Sequence, residues 1–521
     1  MALMLQQIPF TQKYSHFISY RRKRILAAQC LQAIHIPGLQ DGMAAGILAL
    51  MHRLLFTLLA LTLGAGAQSY TPAAEKPPDL AREFRGAWIA NIYNIDWPSS
   101  KGLSASAQQA ELRAMLDRIA SLKMNAVIFQ VRPQGDAVYQ SSIEPWSPWL
   151  TGSMGRSPGY DPLAFCIREA HARGIEVHAW FNPFRALSNN SQQVSSNHIA
   201  RAMPQVTRRY GSMTWCDPGH PQTREHALRV IMDVVRRYDI DGVHLDDYFY
   251  PYPSGGLRFA DGKSPAQRRS YVDGFVSSLY SSVKREKSWV RVGISPFGIW
   301  RPGVPAGIEA GLDSYEQLAG DSRKWLSKGW VDYLAPQLYW RIEPRKQSFP
   351  ILLEWWRGQG SRPVWPGIAT SRINSSDDPG RPASEITRQI DLTRKIGRNW
   401  NGHIHWSAKS LVTNRGGIST RLAGTYTQPA AVPPMPWISK RAPASPGVGA
   451  SMRGNETVIR WQPDKTTAKV AVQARNGGTW RTMKIIPAGG GQTSIPRAEA
   501  IAVTALDRFG NASPPKVLAL Q

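Results

Sequence analysis

Asp241-Gly-Val-His-Leu-Asp-Asp-Tyr-Phe-Tyr-Pro251 is a short apolar run that ends in two adjacent carboxylates and three aromatic rings. Strand interiors disfavour aspartate, and neighbouring carboxylates repel each other. Such a pair at a strand end marks either a reactive site or a solvated turn. Strand alternation puts Val243 and Leu245 on one side, His244 and Asp246 on the other. By the same alternation Asp247 points away from Asp246 unless the strand breaks between them.

The flanking chain repeats this grammar. Residues 84–91, 125–133, 175–184, 290–297, 331–340, 364–369 and 402–407 are also strand-like, and most end in polar or aromatic side chains. Amphipathic stripes lie between them: Leu112, Met115, Leu116 and Ile119; Leu228, Ile231 and Val235; Val272, Phe275, Val276, Leu279 and Val283. Asp161 before Pro162 is a helix start and Gly174 its stop, with further helical stretches at 351–358 and 384–396. About eight βα units between residues 83 and 426 predict an α/β fold, a (β/α)8 TIM barrel with enlarged loops. An open doubly wound sheet is the alternative, weakened because no Gly-rich phosphate loop follows the first strand. Residues 427–445 form a Pro/Ala-rich linker. Residues 446–521 hold short alternating segments between Gly, Pro and Asn turns, the pattern of a small all-β sandwich.

Barrel active sites gather where strands end. Those ends carry Trp88 and Asn91; Gln130 and Arg132; Trp180, Asn182 and Arg185; His244, Asp246, Asp247 and Tyr248; Ser295; Gln337, Tyr339 and Trp340; and Trp406. Glycoside hydrolysis suits this set. One carboxylate attacks or stabilises an oxocarbenium-like carbon while a second acid protonates the leaving oxygen. Asp246 is the expected nucleophile or charge stabiliser, with Asp247 as proton donor, supporting residue or cap. Aromatic rings would stack on sugars, and Asn, Gln, Arg and His would bind hydroxyls. Asp136, Glu144, Asp313, Glu316 and Glu343 are further candidates for the acid, and spacing does not choose among them. No HExxH-like cluster marks a metal site, and no cofactor is expected.

The chain has 521 residues, 42% of them hydrophobic, enough for a substantial core plus an accessory module. Its formal charge of +26 favours anionic surroundings, but the basic residues are spread out rather than clustered as in nucleic-acid-binding tails. No nucleic-acid partner is expected. Met51-His-Arg53, an apolar run at 54–64 and Ala65-Gly-Ala67 form the three parts of a secretory signal peptide, so export to the periplasm or the medium is expected. Met51 is then the expected true start, residues 1–50 an upstream extension, and 68–82 a linker. No later segment is long and apolar enough to span a membrane. Cys30, Cys166 and Cys216 make neither a disulfide framework nor a metal spacing.

Glu83-Phe-Arg-Gly-Ala-Trp88, Asp96-Trp-Pro98, Val131-Arg-Pro133, Trp180-Phe-Asn-Pro183, His244-Leu-Asp-Asp-Tyr-Phe-Tyr-Pro251 and Pro336-Gln-Leu-Tyr-Trp340 resemble the motifs of the glycosyl hydrolase-like family 10 proteins. The resemblance covers about residues 80 to 425. It implies an exported bacterial TIM-barrel glycosidase, and some members act on peptidoglycan glycan strands stripped of their stem peptides. Asp241 to Asp246 also resembles the fourth-strand motif of alpha-amylase-type glycosidases, whose last Asp is the nucleophile. The fifth strand, Val292-Gly-Ile-Ser-Pro-Phe297, carries no Glu where those enzymes keep their acid. Residues 507–513 before the last strand resemble the close of a fibronectin type III domain. A cell-envelope polysaccharide is thus the expected substrate. The alternatives are a non-wall exopolysaccharide, or a barrel that binds carbohydrate without cleaving it.

Overall fold

The computed structural model describes residues 69–397 and 400–521. The expected signal segment at 51–67 and the upstream residues 1–50 lie outside the described residues.

Eight parallel strands build the barrel: β1 (Phe84–Ile89), β2 (Ala126–Arg132), β3 (Glu176–Phe181), β4 (Gly242–Leu245), β5 (Arg291–Ile294), β6 (Tyr333–Leu334), β7 (Gly367–Ile368) and β8 (Gly402–His405). Each pairs with its neighbour, and β8 returns to β1. The remaining seam closes through Trp365 N donating to Leu334 O at 2.8 Å and Gly367 N to Pro336 O at 2.9 Å. The barrel form is therefore the observed one, and the open sheet is not. Helices follow the strands: α1 (Ala105–Ser121), α2 (Pro162–Ala172), α3 (Pro221–Arg237), α4 (Pro265–Glu286), α5 (Ser322–Ser327), α6 (Phe349–Arg357), α7 (Ala383–Ile396) and α8 (Ile418–Thr425). Ser104 caps α1 and Asp161 caps α2, each accepting the backbone N–H of the third helical residue, Ala107 and Ala164. The β3–α3 connection carries an insertion unforeseen in the sequence, a three-stranded antiparallel sheet of Arg185–Leu187, Met213–Cys216 and Thr207–Tyr210.

Two apolar layers result. Outward strand residues pack with the helix stripes, including Leu112, Ile231, Val276 and Ile390. Inside the barrel, bulky rings occupy space left by glycines on neighbouring strands. A Cβ at Gly242 would lie 2.5 Å from the His178 ring, one at Gly402 would lie 2.5 Å from Trp365, and one at Gly293 would fall on the Tyr333 ring. Phe84 stacks on Trp365 with centroids 4.1 Å apart, sealing the floor.

The C-terminal module consists of antiparallel sheets, as expected for an all-β sandwich. It packs against the N-terminal end of the barrel. Lys469 reaches Glu176 at 3.6 Å and Gly174 O at 3.1 Å, and Arg508 pairs with Asp239 and Asp241. Two expected linkers are more than linkers. Tyr70–Pro72, within 68–82, is a strand pairing with the last strand, Lys516–Leu520. Within 427–445, Ala430, Ala431, Val432 and Met435 are buried, Val432 against the barrel floor. Apolar side chains in both stretches find partners that composition does not reveal. Cys166 and Cys216 are buried and unpaired.

A Gly293→Ala variant is expected to lose about 1–3 kcal/mol of stability, because its methyl overpacks Tyr333. A denaturant midpoint equal to that of the wild type would show the barrel interior to be looser than described.

Candidate active site

The strand β4 stops at Leu245, and the chain then turns. Tyr248 N donates to Asp246 Oδ1 at 3.3 Å, an Asx turn that ends the alternation of side-chain directions. Both carboxylates therefore stay on the same side. Asp246 Oδ2 accepts from Asn182 Nδ2 and, at 3.3 Å, from Trp180 Nε1. Asp247 Oδ2 accepts from the Tyr252 hydroxyl. Gln337 lies beside Asp247; its Nε2 gives one hydrogen to Ser295 O at 3.1 Å and keeps a second that favours the Asp247 carboxylate, whose Oδ1 is buried.

Burial dominates the electrostatics. It raises Asp246 to about 6 against the pull of the Arg185 guanidinium and the hydrogen bonds from Tyr248, Asn182 and Trp180. Burial and the neighbouring Asp246 charge together raise Asp247 to about 7, opposed by Tyr252 and Gln337. Arg185 is itself held by Pro133 O at 3.1 Å and lies 4.7 Å from the Tyr248 ring centre. Burial pushes the Tyr339 phenol well up, and the charges of Asp247 and Asp246 add to that, so Tyr339 shares the same basin.

Below the pair runs a polar column. Trp88 Nε1 can only donate, and does so to His244 Nε2 at 3.3 Å, so His244 carries its hydrogen on Nδ1 and gives it to Tyr333 Oη at 2.9 Å. The Tyr333 hydroxyl then donates to His178 Nδ1 at 2.8 Å. Ser295 Oγ closes the set, 3.2 Å from His244 Nε2. Burial, then the proximity of His178, drives His244 well below its usual range, so it stays neutral. Trp406 meets Trp88 and Trp180 edge to face at 6.0 and 6.1 Å, and it alone of the three is half-buried rather than buried.

The sequence-predicted residues thus divide by depth. Asp246, Asp247, Tyr248, Gln337, Tyr339, Arg185 and Trp406 gather around the carboxylates. Trp340 sits farther out, edge to face with Phe297 at 5.7 Å. Trp88, Trp180, Asn182 and His244 form the floor. Asn91 and Arg132, expected to bind hydroxyls, are fully buried and spent on protein partners. Asn91 Nδ2 donates to Trp97 O at 3.2 Å; Arg132 pairs with Glu144 at 2.6 Å and donates to Asn182 O at 2.5 Å.

Two groups to which the sequence assigned no part in the chemistry prove central. Gln130 takes Asn91 N and Ile92 N on Oε1 and gives Nε2 to Asn182 Oδ1 at 2.8 Å, orienting the amide that meets Asp246. Tyr252 holds Asp247, and the aromatic run just before it was the available signal.

The other acids are engaged elsewhere. Glu144, buried between Arg132 and His226, is held down at about 2. Asp313 and Glu316 pair with Arg301, and Glu343 pairs with Arg388 near solvent. Asp136 is raised to about 7 by burial but is fully enclosed. Asp247 is the acid that shares a basin with Asp246.

Residues 83–378, from β1 through β7, match the glycosyl hydrolase-like 10 family. Glycosyl hydrolase YngK of Bacillus subtilis strain 168 is 39% identical over 456 residues, spanning 82% of this chain and 89% of that protein. Glycosyl hydrolase DigH of Escherichia coli K12 is 35% identical over 322 residues, spanning 55% of this chain and 73% of that one. Among solved structures, the glycoside hydrolase domain of PgaB (BpsB) from Bordetella bronchiseptica aligns with a TM-score of 0.43 at 15% identity, covering 66% of this chain and 98% of that domain. With its motifs lying in order on the strands of a closed barrel and a relative matched along most of its length, this chain belongs to the glycosyl hydrolase-like 10 family.

Proposed function

We propose that this protein is an exported glycoside hydrolase that cleaves O-glycosidic bonds in a cell-envelope polysaccharide, the glycan strands of peptidoglycan. The observation that carries this reading is the pair of adjacent, buried carboxyl groups at the end of β4, raised to about 6 and about 7. Glycosidic cleavage needs one carboxylate ionised and one protonated near neutral pH, and two environments that separate such a pair assign the roles. Asp246, the more acidic, stabilises or attacks the developing cationic carbon. Asp247 donates a proton to the leaving oxygen. Tyr252 donates to Oδ2, so the acid proton belongs on Oδ1. Tyr248, Tyr339 and Trp406 offer ring surface to the sugar, and Arg185 offers a charged donor. A binding-only barrel has no need to keep two carboxyls desolvated side by side.

The peptidoglycan assignment draws support from the +26 charge, suited to an anionic envelope, and export draws it from the signal-like segment at 51–67. The C-terminal sandwich sits at the far end of the barrel from the carboxylates, so it takes no part in the bond cleavage.

Purified protein incubated with intact and with peptide-stripped glycan strands is expected to release new reducing ends, read by mass spectrometry. Asp246→Asn should lower that rate about 10³-fold or more while the protein stays folded. Tight binding of glycan with no cleavage of any strand by the wild type would overturn the proposal.

The kcat/KM profile should be bell-shaped, with an ascending limb near pH 6 and a descending limb near pH 7 that belong to the coupled pair. Asp247→Asn should remove the descending limb.

Stability gives an independent reading. A folded-state carboxyl above its unfolded value favours folding in the protonated form, so its penalty is absent below about pH 4 and grows as pH rises through 6 and 7. Asp247→Asn should therefore unfold at a higher denaturant midpoint than wild type at pH 8, with the difference shrinking toward pH 4. No difference at pH 8 would place Asp247 in water.

A further inference from the structure

Beside the bowl stands a tyrosine in a costly position. Tyr93 follows β1 on the loop to α1 and is 55% exposed; among the described residues only Leu257 and Ile351 are other large hydrophobic side chains so placed. Its φ is +55°, and that of Asn94 is +51°, a left-handed conformation that a bulky side chain rarely adopts. The arrangement is nonetheless pinned. Asn94 Nδ2 donates to Pro98 O and to Trp149 O, both at 2.9 Å, and the Tyr93 ring meets Trp149 edge to face at 4.9 Å. On its inner side the Tyr93 hydroxyl lies 3.5 Å from Ser188 O, at the end of the short strand that begins with Arg185, whose guanidinium sits 4.7 Å from the Tyr248 ring centre.

Outward from Trp149 the rim opens into a groove of about 390 Å³ between residues 148–154 and 192–195, within the range of small-ligand clefts. Lys101 lines it, with Nζ 4.4 Å from the Trp149 ring centre and no carboxylate partner among the described residues. Gln192 lines the facing wall, its carbonyl oxygen taken by Gln134 Nε2 at 2.7 Å. An exposed ring, a fixed amide and a cation with no carboxylate partner among the described residues, all on the β1–α1 and β3–α3 connections at the barrel mouth, match a sugar ring with an acidic substituent.

We propose that Tyr93, Lys101 and Gln192 form an outer subsite of the glycan cleft, where a sugar ring several units from the scissile bond stacks on Tyr93 and its carboxylate substituent meets Lys101. This rests on the glycan-cleaving reading above and names the residues with which the same cleft holds a sugar beyond the scissile bond. Tyr93 here is a specificity-determining residue and acts on binding, not on the bond.

The test compares peptide-stripped strands with a disaccharide-repeat fragment too short to span from Asp246 to the groove. Tyr93→Ala should raise KM for the long strands about tenfold and change kcat less than about twofold, while kcat/KM for the short fragment stays put. Tyr93→Phe should restore most of the loss. Lys101→Gln should raise KM for native strands but not for strands whose carboxyls have been reduced to alcohols. Equal KM for wild type and Tyr93→Ala on long strands would overturn the subsite while leaving the enzyme reading intact. If wild type cleaves nothing, that reading fails, and calorimetric binding of long strands to wild type and Tyr93→Ala decides the subsite alone: weaker binding by the variant supports it, equal binding rejects it.

Discussion

Keeping two neighbouring carboxyl groups out of water, at one strand end, is the constraint around which the barrel mouth is arranged. Burial makes each of them a poor anion, and Asp246 makes Asp247 poorer still. The Asx turn at Asp246 decides that both share one basin. Holding them there takes three strands: Gln130 on β2 aligns Asn182 beyond β3, which meets Asp246 beyond β4. Arg132 and Glu144 brace the same loop from behind, a fully buried ion pair that would be expensive to break.

The interior beneath explains how this floor stays rigid. Rings on β1, β3 and β6 and just before β7 use volume that glycines on β4, β5, β7 and β8 vacate, so the barrel is packed by interlocking rather than by a uniform layer of branched aliphatics. Trp88, His244, Tyr333 and His178 satisfy one another along the axis, and a neutral His244 adds no charge next to Asp246. At the opposite end the module and barrel are tied by charge, with Lys469 and Arg508 against Glu176, Asp239 and Asp241. Asp241 and Asp246 open and close the same short strand, yet one anchors the module and the other faces the bowl. Tyr70, packed in the sandwich core with its hydroxyl 2.8 Å from Thr457 Oγ1, makes the segment before the barrel part of the module after it.

The two carboxyl environments are the feature on which the proposed cleavage depends. Aromatic rings and amides serve binding and cleavage alike, so Trp406, Tyr339 and Gln337 do not decide between them. The proposed cleavage rests instead on two buried carboxyls side by side, both raised above their ordinary range.

The sequence by itself determined the barrel, because eight repeats of apolar strand and striped helix admit few other packings, and it put Asp246 at a strand end on the lumen side, because that position follows from alternation alone. It also determined the all-β module from its turn spacing. Only the tertiary structure decided where Asp247 points, since that depends on a hydrogen bond from Tyr248 that breaks the alternation. Depth was equally out of reach: Arg132, Asn91 and Arg185 are alike as polar strand-end residues, yet long-range partners bury the first two completely and leave the third beside the site. Likewise, the strand Tyr70–Pro72 has no local signal, because its pairing partner lies at the other end of the chain. Periodicity is a local property and was legible; burial and hydrogen-bond partnership are set by residues far apart in sequence and were not.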